Sequence, residues 1–464
     1  MPISDVKVSA LPDGDIALAF VASISEDGKL LNPEKADKPK TSAREYENIL
    51  VRFWDTYQAK HTSTLWYTTL EAVNDKYRLS SENKPVDALS GLGLEFPWSP
   101  TAALGSGGAY EISPTGLIVL TLDPEVNPAV NLFQGMWYIR LQSFTETSPK
   151  AERIVNTHSD FEGSIKTAAF STDGQRLAYI QQKPHRAAYY TGTDQLFVMD
   201  LRSSTLESTL IPHKTEDGDF VEVDAALFAS DGSEIYLEAE YKGRMVIFKQ
   251  QIDPKKRNKN AELLSTQGSL SAIHRLSSSD DSNKLFITTS SMTDPSIYSI
   301  IDPSSKSSSR VVSDQMASGS KLGLHNSQVS EIFVKQTDES GHEYTVQSYV
   351  TVPSDFDESK TYPLCMLIHG GPQSLLSNAW STRWNPAVFA EQGYVVLSPN
   401  PTGTPSFGQK FLDGVLGEWG GRAYTDIEAV FNHAEKHMKF VDTTRAVLGG
   451  GSYGGYMTNW IAGQ

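Results

Sequence analysis

"AVLGGGSYGGYMTNWIAGQ", residues 446–464, decides how the C-terminal third of this chain is read. A short apolar run, Ala446 to Leu448, enters a glycine-rich turn with a serine inside it, and a segment compatible with a helix follows. Gly450, Gly451, Ser452, Tyr453 and Gly454 form a G-x-S-x-G pattern. A strand that turns sharply into a helix leaves the central serine on a strained corner with its hydroxyl exposed, and only small flanking residues fit that corner. Gly450 and Gly454 stand at the two elbow positions, with further glycines at 449, 451 and 455. Ser452 is therefore the candidate nucleophile. A glycine-rich turn with an incidental serine is the competing account, and the strand-turn-helix context weighs against it.

The residues upstream supply that context. "PLCMLIH" (363–369) is a continuous apolar run that ends in the turn "HGGP" (369–372). "YVVLSPN" (394–400) is a second strand, and "TDIEAVFNHAEKHM" (425–438) has apolar positions at helical spacing with Thr425 as its N-cap. Strands alternating with helices imply a parallel sheet with crossover helices, here an α/β-hydrolase. Acyl transfer passes through an oxyanion that must meet donors already in place. One donor in such sheets is the backbone N–H after the nucleophile, which is Tyr453. The other comes from a loop after an earlier strand, where Gly370 and Gly371 are the candidates and Gly371 the favoured one.

Residues 1–310 carry a different signal, a repeat. "AAFSTDGQRLAYIQQ" from Ala168 is followed by "DQLFVMDL", "AALFASDGSEIYLEAE" from Ala225 by "GRMVIFKQQID", and "HRLSSSDDSNKLFITTS" from His274 by "PSIYSIID". Nearer the N-terminus, "VSALPDGDIALAFVAS" pairs with "STLWYTTLE" and "YEISPTGLIVLTLD" with "GMWYIRLQ". Each unit is an apolar run, a turn, an alternating strand and an aromatic strand. The Asp-Gly pairs supply the positive φ of tight hairpins. One four-stranded unit buries one face only, so units at this spacing read as about five blades of a β-propeller. A generic β-sandwich is the alternative. Segment 26–62 is a polar insertion in which "REYENILVRFWDTY" reads as a short helix. The Ser-rich "PSSKSSSRVVSDQMASGSKLG" marks the boundary, giving a propeller over 1–310 and a hydrolase over 311–464.

Composition excludes several functions. The formal net charge is −16, and the one basic run, "DPKKRNKN" at 253–260, reads as a solvated loop, so nucleic acid is not an expected partner. No stretch approaches a membrane span, so no membrane association is expected. The single cysteine, Cys365, lies in an apolar run and reads as a core residue. The lack of disulfides and of N-x-S/T acceptors leans towards the cytoplasm. No metal site and no cofactor are expected; His433 and His437 lie one helical turn apart and read as a solvated helix face.

The stretches "DESKTYPLCMLIHGGPQ", "GYVVLSPNPTGTPSFGQKF", "GEWGGRAYTDIEAVF" and "GGSYGGYMTNWIAGQ" together resemble the catalytic domain of the prolyl oligopeptidase family of serine peptidases. "SAREYENILVRFWDTY" resembles the propeller of its acylaminoacyl-peptidase-like branch, fungal dipeptidyl-peptidases above all. The resemblance covers nearly the whole chain. It implies a seven- or eight-bladed propeller capping the hydrolase, and release of dipeptides or acylated residues from the N-termini of short peptides. A glutamate pair that holds the substrate amine in relatives is not recognisable. Glu162 and Glu238 are acidic propeller residues that read as ordinary surface.

In α/β-hydrolases the order is nucleophile, acid, histidine. All ten histidines precede Ser452, as do Asp413 and Asp426, and His369 belongs to the oxyanion loop. The acid and the histidine are thus expected outside these 464 residues, and the chain as a fragment with an incomplete propeller and a hydrolase cut short after the elbow. Its expected function is that of a serine exopeptidase releasing dipeptides. An acylaminoacyl peptidase or esterase with the same nucleophile, and a non-catalytic propeller that binds a partner, are the alternatives.

Overall fold

A computed structural model describes residues 3–464 except 26, 33, 36–40, 44, 46–51, 54–55, 58–62, 75, 80–82, 95–109, 123–133, 156–163, 186–187, 204, 215–221, 254, 256–259, 266–267, 277–282 and 306–308. Five antiparallel sheets follow one another along the first two thirds of the chain, the blades of a propeller. The first has the order Ser4–Ala10, Ile16–Ser23, Ser63–Val73, Lys76–Leu79, with Val86–Asp87 also on Ser63–Val73. The second runs through Tyr110–Ser113, Gly116–Leu122, Gln134–Arg140 and Ala151–Ile154, and the third through Ser164–Phe170, Arg176–His185, Ala188–Asp200 and Ser208–Ile211. The fourth takes Glu222–Phe228, Glu234–Tyr241, Arg244–Gln251 and Glu262–Ser265; the fifth takes Ser269–Arg275, Leu285–Ser291, Asp294–Ile301 and Ser309–Asp314.

The repeat has a physical basis in its first hairpin. At Gly174 (φ 67°) and Gly232 (φ 66°) the chain enters the left-handed region, and each glycine N–H returns to a carbonyl three residues back, Ser171 at 2.8 Å and Ala229 at 2.9 Å. The same bond closes the turn at Gly14, from its N–H to Leu11 O. Asp173 adds an acceptor for the Ser171 hydroxyl (2.6 Å).

Two expectations are corrected. Arg52–Phe53 pairs antiparallel with Thr56–Tyr57, a hairpin geometry in place of the helix expected there; the rest of that segment lies largely outside the described residues. The Ser-rich boundary is not unstructured: Ser309–Asp314 is the last strand of the fifth blade, so a division at 310/311 falls within a strand.

The chain divides into two compact units. One comprises Met1–His185, Asp194–Pro212 and Asp224–Ser233; its core joins small and aromatic residues such as Ala17, Ala19, Tyr67, Tyr110 and Val119. The other comprises Arg186–Thr193, His213–Val223 and Glu234–Gln464, and so contains most of the fourth blade, the fifth blade and the α/β sheet.

That sheet has the order Val329–Thr337, Glu343–Thr351, Val395–Asn400, Tyr362–Ile368, Val441–Gly450. The first two strands form a hairpin, and Val395–Asn400, Tyr362–Ile368 and Val441–Gly450 are mutually parallel. Alternation along "LCMLI" sends Leu364, Met366 and Ile368 to one face and Cys365 and Leu367 to the other. The first face is covered by the helices Arg422–His437 (Ile427, Val430, Ala434) and Tyr453–Ala462 (Tyr453, Met457); the second is packed with Ala390 of the helix Pro386–Ala390. Cys365 is buried, which pushes its thiol up to about 11. The helix Arg422–His437 starts three residues before its expected cap: Gly421 is the N-cap, and the Thr425 hydroxyl donates back to Arg422 O (2.9 Å) from inside the helix. A further short helix, Gln409–Asp413, has no signal in the sequence pattern.

Candidate active site

The parallel register sets Ile368 beside Gly450, so the two strands end side by side and their following loops meet. Sites in open α/β sheets form at this carboxyl edge. One loop is His369-Gly370-Gly371-Pro372; the other is the elbow.

At the elbow Ser452 has φ 55° and ψ −123°, a conformation costly for a residue with a side chain, about 1–3 kcal/mol. The surrounding glycines explain how it is held. A Cβ on Gly450 would lie 2.6 Å from the Ile368 carbonyl oxygen and 2.6 Å from the Gly454 carbonyl carbon. A Cβ on Gly454 would lie 2.1 Å from the same Ile368 oxygen. Strand end, elbow and helix start are thus packed backbone against backbone. The helix closes on the serine through Gly454 N–H to Gly451 O (2.9 Å) and Tyr456 N–H to Ser452 O (3.0 Å). Ser452 is exposed, and its hydroxyl makes no hydrogen bond among the described residues.

The second loop touches the serine through Gly370. A Cβ there would lie 3.4 Å from Ser452 Cβ and 4.0 Å from Oγ. Gly371 (φ 124°) turns the chain so tightly that a Cβ would meet the Gln373 and Ser374 nitrogens at 2.7 and 2.9 Å. It is tied to Gly370 by their shared peptide plane. His369 fixes that plane. Its Nδ1 lies 2.6 Å from Gly370 O, which can only accept, so Nδ1 carries the proton. Nε2 is then the acceptor for the Thr404 hydroxyl at 3.1 Å. Because C=O and N–H of one peptide point in opposite directions, holding Gly370 O holds Gly371 N–H. Neither Gly370 N–H nor Gly371 N–H is bonded to a protein acceptor among the described residues. Tyr453, first residue of the elbow helix, has an N–H without an intrahelical acceptor. Three backbone N–H groups without a protein acceptor thus lie on the serine's own turn and on the loop that meets it. Burial holds the His369 imidazole below the ordinary histidine value, which keeps this tautomer neutral.

The rest of the loop is anchored in two places that sequence patterns do not reveal. Asn400, fully buried at a strand end, donates to Leu376 O (2.9 Å), accepts from Leu376 N–H (3.0 Å) and donates to Gln347 Oε1 (2.6 Å). Gln347 in turn donates to Glu331 (3.0 Å), which is paired with Arg244 (2.5 Å). In the fifth blade, Met292 N–H donates to Asn378 Oδ1 (2.9 Å), Asn385 Nδ2 donates to Met292 O (2.9 Å), and Ser290 Oγ accepts from Trp380 N–H (3.2 Å).

Among the described residues, Asp413, Asp426, His433 and His437 have partners other than the serine. Asp426 is fully buried and accepts from Thr402 N–H (2.8 Å), the Thr402 hydroxyl (2.6 Å) and the Tyr344 hydroxyl (2.8 Å). Burial raises its pKa, opposed by these donors. It pins the 401–404 turn that carries Thr404. Asp413 accepts from Gln409 within one short helix. The His433 and His437 rings stand 4.7 Å apart, and no group of three metal-ligating side chains occurs among the described residues. Glu238 is half-buried in its strand, across from Ile247; Glu162 lies outside the described residues.

Residues 380–464 match the sequence model of the Prolyl oligopeptidase family. The chain is 31% identical to the probable dipeptidyl-peptidase 5 of Aspergillus clavatus over 99% of its own length and 62% of that protein. It is 30% identical to the dipeptidyl-peptidase 5 of Trichophyton schoenleinii over 94% of its length and 58% of that protein. The chain spans about three fifths of the length of these curated relatives. Its fold matches the uncomplexed acylaminoacyl peptidase of Pyrococcus horikoshii with a TM-score of 0.67 at 14% identity, over 99% of this chain and 61% of that one. A propeller followed by an α/β sheet, an elbow serine and a matching family sequence lead to one assignment: residues 380–464 carry the sequence of a prolyl oligopeptidase family domain.

Proposed function

We propose that this chain supplies the nucleophile and oxyanion donors of a serine exopeptidase that releases dipeptides from the N-termini of short peptides. The observation that carries the chemistry is Ser452, held at φ 55° beside Gly370 with uncommitted backbone N–H groups around it. Ser452 Oγ attacks the scissile carbonyl, its proton passes to a general base, and the carbonyl oxygen takes up the negative charge. The N–H groups of Tyr453 and Gly371 receive that charge. Collapse breaks the C–N bond, the amine leaves with the proton, and water hydrolyses the acyl-enzyme. No histidine follows Ser452, and none is hydrogen-bonded to its hydroxyl among the described residues. Dipeptide release is supported by the names of the relatives at 30–31% identity.

The test uses the protein expressed from its complete gene. A fluorophosphonate should label Ser452, and Ser452→Ala should lower kcat by several orders of magnitude while the thermal transition is retained. Products from a free-amine hexapeptide and its acetylated twin fix the cleavage: loss of a dipeptide from the free peptide supports the proposal. Removal of one acetylated residue from the twin, with the free peptide untouched, refutes dipeptide release and assigns the site to acylaminoacyl substrates.

A further inference from the structure

We propose a second ligand site in the cavity of about 420 Å³ around Arg422, one that takes a small carboxylate carried on an aromatic body. No lining residue belongs to the elbow or to the His-Gly-Gly-Pro loop, so the inference does not rest on the peptidase reading. Arg422 opens the helix Arg422–His437 and lines the cavity half-buried, yet its guanidinium makes no hydrogen bond and no ion pair among the described residues. Asp426, one turn along the same helix, is spent on Thr402 and Tyr344. A half-buried guanidinium without an anion forgoes the two parallel bonds that its planar fork can make to a carboxylate. Lys410 is committed to Asp338 (2.9 Å), whose carboxylate also accepts from the Ser340 hydroxyl (2.5 Å), Ser340 N–H (3.0 Å) and His342 N–H (2.9 Å). Lys242 and Glu240 complete the charged lining, so three cations stand against two carboxylates.

The apolar wall is three rings in mutual contact. Tyr344 stands edge-on to Phe411 (centroids 6.0 Å apart, 63°), and Phe411 is tilted against Phe407 (5.4 Å, 59°). Arg422 lies over the Tyr344 ring, 5.8 Å from its centroid. The Tyr344 hydroxyl donates to Asp426 (2.8 Å), which fixes that ring. The loop that supplies Phe407 is clamped as well. Ser406 sits at φ 78°, a strained value for a residue with a side chain. It is held by Lys242 N–H to Ser406 O (3.1 Å), Gly243 N–H to Ser406 Oγ (3.0 Å) and its own N–H to Glu222 Oε2 (3.2 Å). Rigid walls of this kind lower the cost of ordering a site around its ligand. Rings beside an uncommitted cation match a ligand with an aromatic body and one anionic end, and a cavity of this size holds a single such molecule. An inorganic anion would leave the rings bare, and an uncharged aromatic would leave Arg422 unmet.

The test measures binding of phenylpropionate to the complete gene product by calorimetry, beside propionate and phenylpropionamide. Each control should bind about tenfold more weakly, through loss of one buried ring or of one charge-assisted contact. Arg422→Gln should weaken phenylpropionate to the level of the amide, while Arg422→Lys retains part of the affinity. Phe407→Ala should remove the advantage over propionate. Should Arg422→Gln lose its thermal transition, Phe407→Ala and the two control ligands decide the matter. Binding should slow amide exchange in residues 338–345 and 406–411. Fluorophosphonate on Ser452 should leave the affinity unchanged, and a failure to label Ser452 would refute the peptidase reading while leaving this site standing. Equal affinity in wild type and a folded Arg422→Gln, protection confined to residues 369–372 and 450–456, or no binding of phenylpropionate at millimolar concentration would overturn the proposal.

Discussion

A methyl group at position 454 would collide with the Ile368 carbonyl oxygen at 2.1 Å, and one at 450 would meet the same atom at 2.6 Å. Neither obstacle is a flexible side chain, so the backbone itself must move. Gly455 differs: its nearest neighbour would be Gly450 O at 3.4 Å, and it lies in a helix, where alanine is favoured by up to about 1 kcal/mol. Gly454→Ala is expected to destabilise by about 1–3 kcal/mol or more and to abolish labelling of Ser452, while Gly455→Ala keeps both; thermal melts with a fluorophosphonate probe distinguish them. His369 acts through Gly370 O. His369→Ala frees that peptide plane and should lower kcat by up to about 10²-fold, as loss of an oxyanion donor does. His369→Asn, whose amide can replace Nδ1–H, should retain much of the rate. The buried imidazole also titrates below the free value of 6.5. The unfolded chain therefore binds this proton first, and stability falls as pH drops below about 6.5 towards the folded pKa. A melt series over that range should show a smaller loss in His369→Asn. Ser452 and its glycines were legible because an elbow's demands are met within five consecutive residues. The role of His369 was not, since its hydrogen bond to Thr404 spans 35 positions.

Between elements, the least visible part is the polar chain Asn400, Gln347, Glu331, Arg244. Alternation and apolar runs locate the strands, and they did so here for all three parallel ones. They assign no task to a buried amide at a strand end. Asn400→Ala leaves Gln347 Oε1 and both backbone groups of Leu376 without this partner, at roughly 1–3 kcal/mol for each group that stays buried and unsatisfied. A loss of at least about 2 kcal/mol by chemical denaturation is expected, together with faster amide exchange in residues 370–385. A change below 0.5 kcal/mol would show that water replaces the side chain. Val441–Gly450 raises a different matter. It ends the sheet order, exposes Val447, and borders an apolar groove of about 290 Å³ lined by residues such as Met366, Ile427, Phe431 and Ile461. Unpaired strand edges with apolar side chains invite pairing between chains. The 464-residue chain should associate in a concentration-dependent manner, and Val447→Lys should reduce the light scattering. The misplaced Thr425 cap shows the limit of local signals: "GEWGG" admits the cap four residues earlier, at Gly421.

For the whole molecule, the repeat was readable because three of the five blades reuse one turn, closed at Gly14, Gly174 and Gly232, while the change of composition at 310 described sequence and not packing. The compact unit that holds the serine begins its main stretch at Glu234, inside the fourth blade. The bonds from Ser290 and Met292 to Trp380, Asn378 and Asn385 carry one more consequence. The fifth blade is the mould in which the loop after His-Gly-Gly-Pro is cast. Propellers exchanged between related enzymes would then not behave as interchangeable lids. A chimera joined before this blade keeps the loop with its own mould, whereas one joined after it sets the loop against a foreign blade, so substrate choice should travel with residues 285–301 even when the nucleophile and its elbow stay the same.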